Sequence, residues 1–229
     1  MNTRTHAVLT GDVIKSSRLD ADGLKTVRAT VRDSVDEVKS WQRGLVRGQV
    51  EFFRGDSWQL LLLDPSLALR VAILIRAALI AGGIADSRVS AAIGTVEQID
   101  TSKISRSTGQ AFKLSGETLD ALRAPRRLAL TLPESHGSPA ESFRIIATLC
   151  DALINEWTPR QAEVVRLAIV PASPKQADIA HRLRPSVSQQ FVSKALKGAN
   201  WDVVHQAIRY FEDNQKRLFL KNQPKGVVN

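Results

Sequence analysis

The chain of 229 residues contains a single cysteine, and this scarcity excludes several kinds of site. One cysteine cannot form a disulfide within the chain, so no disulfide framework supports the fold. Cys150 lies in an apolar run at residues 145–154, which indicates a buried structural thiol, since no histidine-based partner motif accompanies it. The four histidines are scattered without a second ligand at metal spacing, so no zinc site is expected.

The sequence also lacks a long hydrophobic run that is free of charge. The longest apolar stretch, residues 67–85, carries Arg70 and Arg76 and follows Asp64-Pro65-Ser66, a typical helix start. This pattern predicts a helix of a soluble domain rather than a membrane span. Residues 1–9 lack the apolar core and cleavage site of a secretory signal, so we expect a cytoplasmic protein with no membrane partner.

Acidic residues are few in the last third of the chain. From Thr158 onward there are 12 lysines and arginines against 5 aspartates and glutamates, a charge of +7 out of the total of +9. The positive field therefore belongs to the C-terminal segment, where it favours an anionic partner such as nucleic acid. Basicity alone is weak evidence, because many solvated helices are rich in lysine and arginine.

Three short helices are predicted in this basic segment. Thr158-Pro159 provides a helix cap and a first-turn proline for the first of them. The second covers residues 176–183 and is expected to turn Ile179, Ala180 and Leu183 inward. The third covers residues 189–197 after a cap at Ser186 or Ser188. The third helix is expected to turn one apolar side inward, formed by Phe191, Val192, Ala195 and Leu196.

A short helix, a turn and a helix exposing glutamine, serine and lysine form the pattern of major-groove recognition. The spacing resembles the helix-turn-helix of sigma-factor-type bacterial regulators, although the turn at residues 184–187 is about two residues longer. The segment is therefore predicted to bind double-stranded DNA, with a plain helical bundle as the alternative. The predicted DNA contacts are Lys175, Arg182, Arg184, Ser188, Gln189, Gln190, Ser193, Lys194 and Lys197.

A last helix is predicted from Trp201 to about Phe219. Its apolar residues are in helical register, so it is expected to pack behind the motif or to mediate dimerisation. A two-fold operator would favour a homodimer, but no heptad run indicates one. The oligomeric state stays open.

The N-terminal part of the chain alternates strands and helices. Strands are predicted at residues 6–12, 45–53, 57–63, 88–96 and 127–132, with helices at 19–41, 65–81 and 109–122. The order βαββαβ, followed by αβ, predicts one antiparallel sheet backed by helices, the split-βαβ or palm arrangement. The predicted fold class is α+β, with a ferredoxin-like palm domain followed by an all-α helix-turn-helix domain.

Two acidic residues stand out on this scaffold, Asp12 at the end of the first strand and Asp56 in the hairpin between the second and third. The predicted sheet makes them neighbours, and a carboxylate pair at strand ends can hold Mg²⁺ or Mn²⁺ that bridges nucleotide phosphates. A plain turn residue is the alternative for each aspartate. Gly11 and Gly55 would let phosphate oxygens approach the backbone. Lys15, Ser16 and Ser17 are expected to start the next helix, whose first amides favour anions. The residues expected to bind phosphate are Gly11, Lys15, Ser16, Ser17, Gly55 and Lys113.

Three motifs resemble the SatD family of bacterial proteins. They are TGDVIKSS at residues 10–17, RGDSWQ at 54–59, and AIGTV at 92–96 followed by GQAF at 109–112. The resemblance implies a domain similar to the palm of class III nucleotide cyclases at residues 1–133, a connector and helix at 134–157, and a helix-turn-helix at 158–229. It also implies that Asp12 and Asp56 match the two metal-binding aspartates of the cyclases.

The sequence departs from the cyclase pattern in one helix. Counted from Gly109, that pattern expects an asparagine where Lys113 stands and an arginine where Glu117 stands. Glu117 would repel the charge that an arginine stabilises, so cyclase turnover is not expected even where metal and nucleotide bind. The favoured function is therefore a DNA-binding regulator that senses a nucleotide, with Mg²⁺ or Mn²⁺. Two alternatives stay open: a metal-dependent cyclase or nucleotidyltransferase that makes a signal nucleotide, and a non-catalytic protein-interaction module.

Overall fold

The computed structural model describes residues 4–222 of the chain. Five strands lie in this range: β1 (Arg4–Val13), β2 (Val46–Phe53), β3 (Ser57–Leu62), β4 (Ser87–Val96) and β5 (Leu128–Thr131). The α-helices are α1 (Ala21–Trp41), α2 (Ala68–Gly82), α3 (Gln110–Ala121), α4 (Ser138–Ile154), α5 (Pro159–Ala168), α6 (Gln176–Arg182), α7 (Gln189–Gly198) and α8 (Trp201–Asn222).

The sheet has the strand order β2-β3-β1-β4-β5. β1 is antiparallel to both β3 and β4, and β2 pairs with β3 as an antiparallel hairpin. These four strands have the ferredoxin-like arrangement predicted from the order βαββαβ. β5 is parallel to β4, so the prediction of a wholly antiparallel sheet is wrong at this edge. The reason is the connection, because α3 crosses back along β4 before β5 begins, and a parallel neighbour requires such a crossover.

Alternate residues of β1 enter two different apolar layers. Ala7 and Leu9 lie in the larger core with α1 and α2, whereas Val8 lies in a smaller cluster with Leu61 and Ala111 of α3. Side chains alternate along a strand, so Asp12 projects from the same face as Val8. α3 packs over β1, β4 and β5, and the Asp12 side chain beyond it stays 19% exposed.

α2 crosses the larger core. By length and composition the stretch Pro65–Gly82 is apolar enough to cross a membrane, yet 78% of it is buried inside the protein. Arg70 and Arg76 are fully buried as well, and each is paired with carboxylates. These are the surroundings of a core helix in a globular domain.

The C-terminal helices dock on α2 through these two arginines. Arg70 donates to both carboxylate oxygens of Glu212 in α8, at 2.6 and 3.1 Å, and to the carbonyl oxygen of Ile169. Arg76 donates to Asp151 of α4 at 2.7 Å. One hydrophobic cluster continues from the sheet through α2 into α5 and α8. The domain boundaries at 133 and 158 stay predictions, and the packing across them is continuous.

Cys150 lies in α4 with only 2% of its surface exposed. Burial raises the pKa of its thiol to about 12, because the thiolate would lose its solvation. The predicted burial of Cys150 is confirmed, and a thiol that stays protonated at neutral pH is a poor nucleophile.

Candidate functional site

The sheet brings Asp12 and Asp56 to adjacent positions. Asp12 stands opposite Ser57 in the β1–β3 register, and the amide of Val13 donates to the carbonyl oxygen of Asp56 at 3.3 Å. Both positions lie at one end of the sheet, where β1 ends and the β2–β3 hairpin turns. The two aspartates are therefore neighbours, as the strand order predicted. They are called the aspartate pair.

Arg88, the second residue of β4, is the partner of Asp12. Its Nε donates to one carboxylate oxygen at 2.9 Å and a terminal nitrogen donates to the other, so the ion pair is bidentate. The same guanidinium donates to the carbonyl oxygen of Leu122 at 2.7 Å. The hydrogen bond to Asp12 raises the pKa of Arg88. Both oxygens of Asp12 are therefore engaged by a cation of the chain itself.

The sequence prediction missed Arg88, although a signal for it exists. Arg88 pairs with Asp12 in the antiparallel β1–β4 register, and directly opposed residues of opposite charge attract across a sheet. A prediction of this pair would have required the register of β4 against β1, because Arg88 and Asp12 are 76 positions apart in the sequence.

Asp56 is held by the loop that follows β1. The Ser16 hydroxyl donates to one of its oxygens at 2.5 Å, and the Ser57 hydroxyl is 3.5 Å from the other. Lys15 precedes this contact with a left-handed backbone (φ 56°) and is exposed, as is Ser17. Of the predicted phosphate contacts, Ser16 therefore lies directly at the aspartate pair, and Lys15 and Ser17 flank it.

The predicted helix start at residues 15–17 is wrong. Ser16–Arg18 form a separate 3-10 turn, and α1 begins only at Ala21. Asp20 caps α1, its carboxylate accepting from the amide of Gly23 at 2.7 Å. A carboxylate already occupies the first turn of α1, so these amides are not free for a phosphate.

The two predicted glycines serve different purposes. A Cβ atom on Gly11 would come within 2.4 Å of the Trp58 indole, and Gly11 is buried beneath that ring. The expectation that Gly11 opens the backbone to phosphate is therefore corrected: the glycine makes room for a tryptophan. Gly55 is exposed with φ 89° and open space around it, and its carbonyl oxygen accepts from Arg28.

Lys113 lies apart from the aspartate pair. Its amine is 3.8 Å from Glu117 one turn along α3, and both side chains are mostly exposed, at 76% and 61%. No described hydrogen bond or ion pair joins Lys113 to Asp12 or Asp56. The residue at the asparagine position and the residue at the arginine position of the cyclase pattern thus pair with each other on the surface.

The aspartate pair offers a divalent ion two carboxylates. Within residues 4–222 no group of three or more histidine, cysteine, aspartate or glutamate side chains could hold a metal. Mg²⁺ and Mn²⁺ accept one or two carboxylates when phosphate oxygens and water complete the shell. The donor set therefore fits a divalent ion that arrives with a phosphate ligand, provided that Arg88 releases Asp12.

The basic C-terminal segment forms a second candidate site. The predicted inward side of α6 is buried: Ile179 and Ala180 lie in the helix, and Leu183 follows it. Ser188 caps α7 by accepting a hydrogen bond from the amide of Phe191 at 3.2 Å. The connection between α6 and α7 runs over residues 183–188, two residues longer than the predicted turn. The packed inner side of α7 consists of Val192 and Leu196, with Ala195 half-buried.

Phe191 was expected on that inner side and is not there. Its side chain is 36% exposed, and the guanidinium of Arg160 lies 5.0 Å from the ring centre. Val192 and Leu196 already fill the space towards α6, so the ring lies over the first turn of α5 instead.

All nine predicted DNA contacts are exposed. Five of them are cations, and none of these five forms an ion pair with a carboxylate in the described part of the chain. Exposed cations elsewhere, such as Lys103, lack such a pair as well, so what distinguishes these five is that they cluster on α6, its turn and α7. The five exposed cations, called the basic face, are Lys175, Arg182, Arg184, Lys194 and Lys197.

α1 contacts both candidate sites. Near its start, Arg28 donates to the carbonyl oxygen of Gly55, beside Asp56. Near its end, Glu37 lies 3.7 Å from Arg166 of α5. Burial raises the pKa of Glu37, although Arg166 and Arg182 lower it in part. One rigid helix thus spans the distance between the Asp56 hairpin and the C-terminal helices.

The solved structures similar to this chain include nucleotide cyclases. The guanylyl cyclase Cya2 matches with a TM-score of 0.40 and 16% identity over 57% of this chain and 76% of its own. Two structures of a bacterial light-regulated adenylyl cyclase match with TM-scores of 0.43 and 0.42 and identities of 13% and 14%, over 57% of this chain. The match spans 44% of each light-regulated cyclase chain. No protein-family model and no curated protein matches the sequence, so the resemblance to the SatD family stays a prediction.

Proposed function

We propose that this protein is a DNA-binding regulator whose palm-like sheet binds a nucleotide at the aspartate pair. The observation that carries the proposal is the basic face, five exposed cations without carboxylate partners among the described residues. The cations of this surface repel one another, and this repulsion is relieved when a polyanion binds. The arrangement of α6 and α7 supports a helix-turn-helix in which α7 enters the major groove.

Salt dependence of duplex binding tests the DNA half. Each lysine that neutralises a phosphate contributes about 0.9 to the slope of log K against log salt concentration. Replacing Lys194 and Lys197 by alanine should therefore weaken binding and reduce this slope by about 2. Lys103→Ala removes an exposed lysine from the loop after β4 and should leave the slope unchanged. Binding that ignores salt, or a slope unaltered in the double variant, would contradict the proposal.

The nucleotide half rests on competition for Arg88. A phosphate group binds a guanidinium through two hydrogen bonds, as the Asp12 carboxylate does here, so an incoming phosphate would draw Arg88 away. Asp12 and Asp56 would then hold Mg²⁺ or Mn²⁺ together with the phosphate oxygens. When bound, the ion supplies charge neutralisation between phosphates and carboxylates. Ser16, which donates to Asp56, orients that carboxylate.

Binding without turnover is supported by α3. A developing negative charge needs a preorganised donor, and Glu117, paired with Lys113 on the surface, provides none. The runner-up, a metal-dependent cyclase or nucleotidyltransferase, is favoured by the adjacency of Asp12 and Asp56 alone. The third function is an interaction module in which the sheet binds no ligand. In that case the ion pair between Asp12 and Arg88 would never open.

Incubation with each nucleoside triphosphate and Mn²⁺ separates these three functions. The regulator predicts saturable nucleotide binding by calorimetry with no product, and loss of that binding in Asp56→Asn. Product formation that disappears in Asp56→Asn would establish the enzyme instead. If no triphosphate gave a heat of binding, the interaction module would be the function that remains.

A further inference from the structure

A surface groove of about 630 Å³ lies between the first turn of α5 and the outer side of α7. In the part of the chain that the structure describes, no carboxylate lines it. Three cations surround it, Arg160, Lys194 and Lys197, and Phe191 lies among them. A groove with a cationic rim and an aromatic ring complements an anionic ligand that also presents apolar surface.

Phe191 is held in place within this groove rather than packed in the core. The Arg160 guanidinium covers one side of the ring at 5.0 Å and is itself anchored by an ion pair with Glu163. The ring keeps 36% of its surface in water although Val192, the next residue, is fully buried. The ring is therefore an apolar surface framed by cations, a combination that suits an anionic ligand carrying an apolar group.

The position of Phe191 in α7 narrows what it can contact. It is the third residue of the helix, and the N-terminal residues of a recognition helix are those that reach base edges in the major groove. Among base edges only thymine presents a methyl group, which apolar side chains contact. Lys194 follows three residues later on the exposed side, placed for a flanking phosphate.

We infer that Phe191 reads a thymine by contact with its 5-methyl group, while Lys194 binds an adjacent phosphate and Arg160, paired with Glu163, supports the ring. The inference rests on the proposed DNA binding and adds to it a residue that sets sequence preference. An acidic peptide would suit the same cations, but the exposed cations of the basic face extend beyond the groove along α6 and its turn, which favours a long polyanion.

Replacement of thymine by deoxyuridine tests this contact, because it removes one methyl group and nothing else. Duplexes selected from a random pool would be resynthesised with each thymine replaced in turn. The full chain should lose about fourfold in affinity at one position, from the free energy of burying one methyl group. Phe191→Ala should bind the thymine and deoxyuridine duplexes equally, and Phe191→Leu should keep part of the difference.

A matched variant separates this contact from general DNA binding. Lys194→Ala should weaken binding to both duplexes by the same factor and keep the thymine preference. Duplex binding with no deoxyuridine effect at any position, or an effect that persists in Phe191→Ala, would overturn the inference and leave the proposed function standing. Absence of any duplex binding would overturn the proposed function itself, as would capture of an acidic peptide in place of DNA.

Discussion

Arg88 determines the charge at the aspartate pair. Its guanidinium offsets one of the two carboxylates, and the donors to the second, Asp56, among the described residues are the hydroxyls of Ser16 and Ser57. The three charged groups therefore keep a net negative charge, which repels phosphate. A nucleotide can bind only with an additional cation, supplied by a divalent ion or by the exposed Lys15. In the proposed function the divalent ion supplies this charge, so we expect nucleotide affinity to rise when Mg²⁺ or Mn²⁺ is added.

Gly11 shows how a residue beside a candidate site can be fixed by packing. Gly11→Ala would place a Cβ atom 2.4 Å from the Trp58 ring and 2.8 Å from the carbonyl oxygen of Arg88. We expect a loss of about 1–3 kcal/mol in the free energy of unfolding, the range for overpacking. Chemical denaturation measures it.

Gly82, at the end of α2, provides the control for this substitution. A Cβ atom there meets nothing within 4 Å. Gly82→Ala should be neutral or stabilise the protein by up to about 1 kcal/mol, since alanine is the better helix former. Equal effects of the two substitutions would show that Gly11 is not required by the Trp58 ring.

At the scale of elements, α7 depends on its cap. Ser188 accepts a hydrogen bond from the amide of Phe191 and satisfies one of the free donors of the first turn. Ser188→Ala should therefore cost about 1 kcal/mol of stability. Thermal or denaturant unfolding followed by circular dichroism measures the change.

The same helix contains a matched serine without a capping role. Ser193 lies exposed in the middle of α7, where alanine has the higher helix propensity. Ser193→Ala should leave stability unchanged or raise it slightly. A Ser193→Ala variant destabilised as much as Ser188→Ala would show that the cap is not what stabilises α7.

α1 is the element that joins the two proposed activities. Its contacts reach Gly55 of the Asp56 hairpin at one end and Arg166 of α5 at the other. A nucleotide that moves the hairpin would thus displace a helix packed against the C-terminal segment. Coupling between nucleotide and DNA binding requires such a shared element, and the packing of α1 supplies a direct one in addition to the predicted connector at residues 134–157.

At the scale of the whole molecule, buried ion pairs hold the C-terminal helices on the sheet. Arg70 and Glu212 have side chains that are 1% and 6% exposed. Glu212→Gln would leave the Arg70 charge buried without compensation, which should cost about 3–5 kcal/mol. Denaturant unfolding of the full chain would measure it.

A half-exposed pair in the same segment serves as the reference. Arg160 and Glu163 have side chains that are 37% and 33% exposed, so solvent screens their attraction. Glu163→Gln should cost less than about 1 kcal/mol. A loss from Glu212→Gln as small as that from Glu163→Gln would mean that the Arg70–Glu212 pair contributes little to holding α8 on the sheet domain.

The sequence alone was sufficient for the features that depend on neighbouring residues. The alternation of strands and helices predicted the four-stranded part of the sheet, and that strand order was enough to make Asp12 and Asp56 neighbours. The cap at Ser188 and the inward side of α6 followed from local pattern in the same way. Caps, helical period and strand alternation act within a few residues, so they can be read along the chain.

Only the tertiary structure decided which distant groups meet. The pairing of Arg88 with Asp12, the packing of Trp58 over Gly11 and the burial of Arg70 against Glu212 join residues 76, 47 and 142 positions apart. The parallel direction of β5 likewise depends on how α3 crosses the sheet. These contacts depend on how many side chains from distant parts of the chain pack into the same space. Local sequence patterns therefore do not predict them.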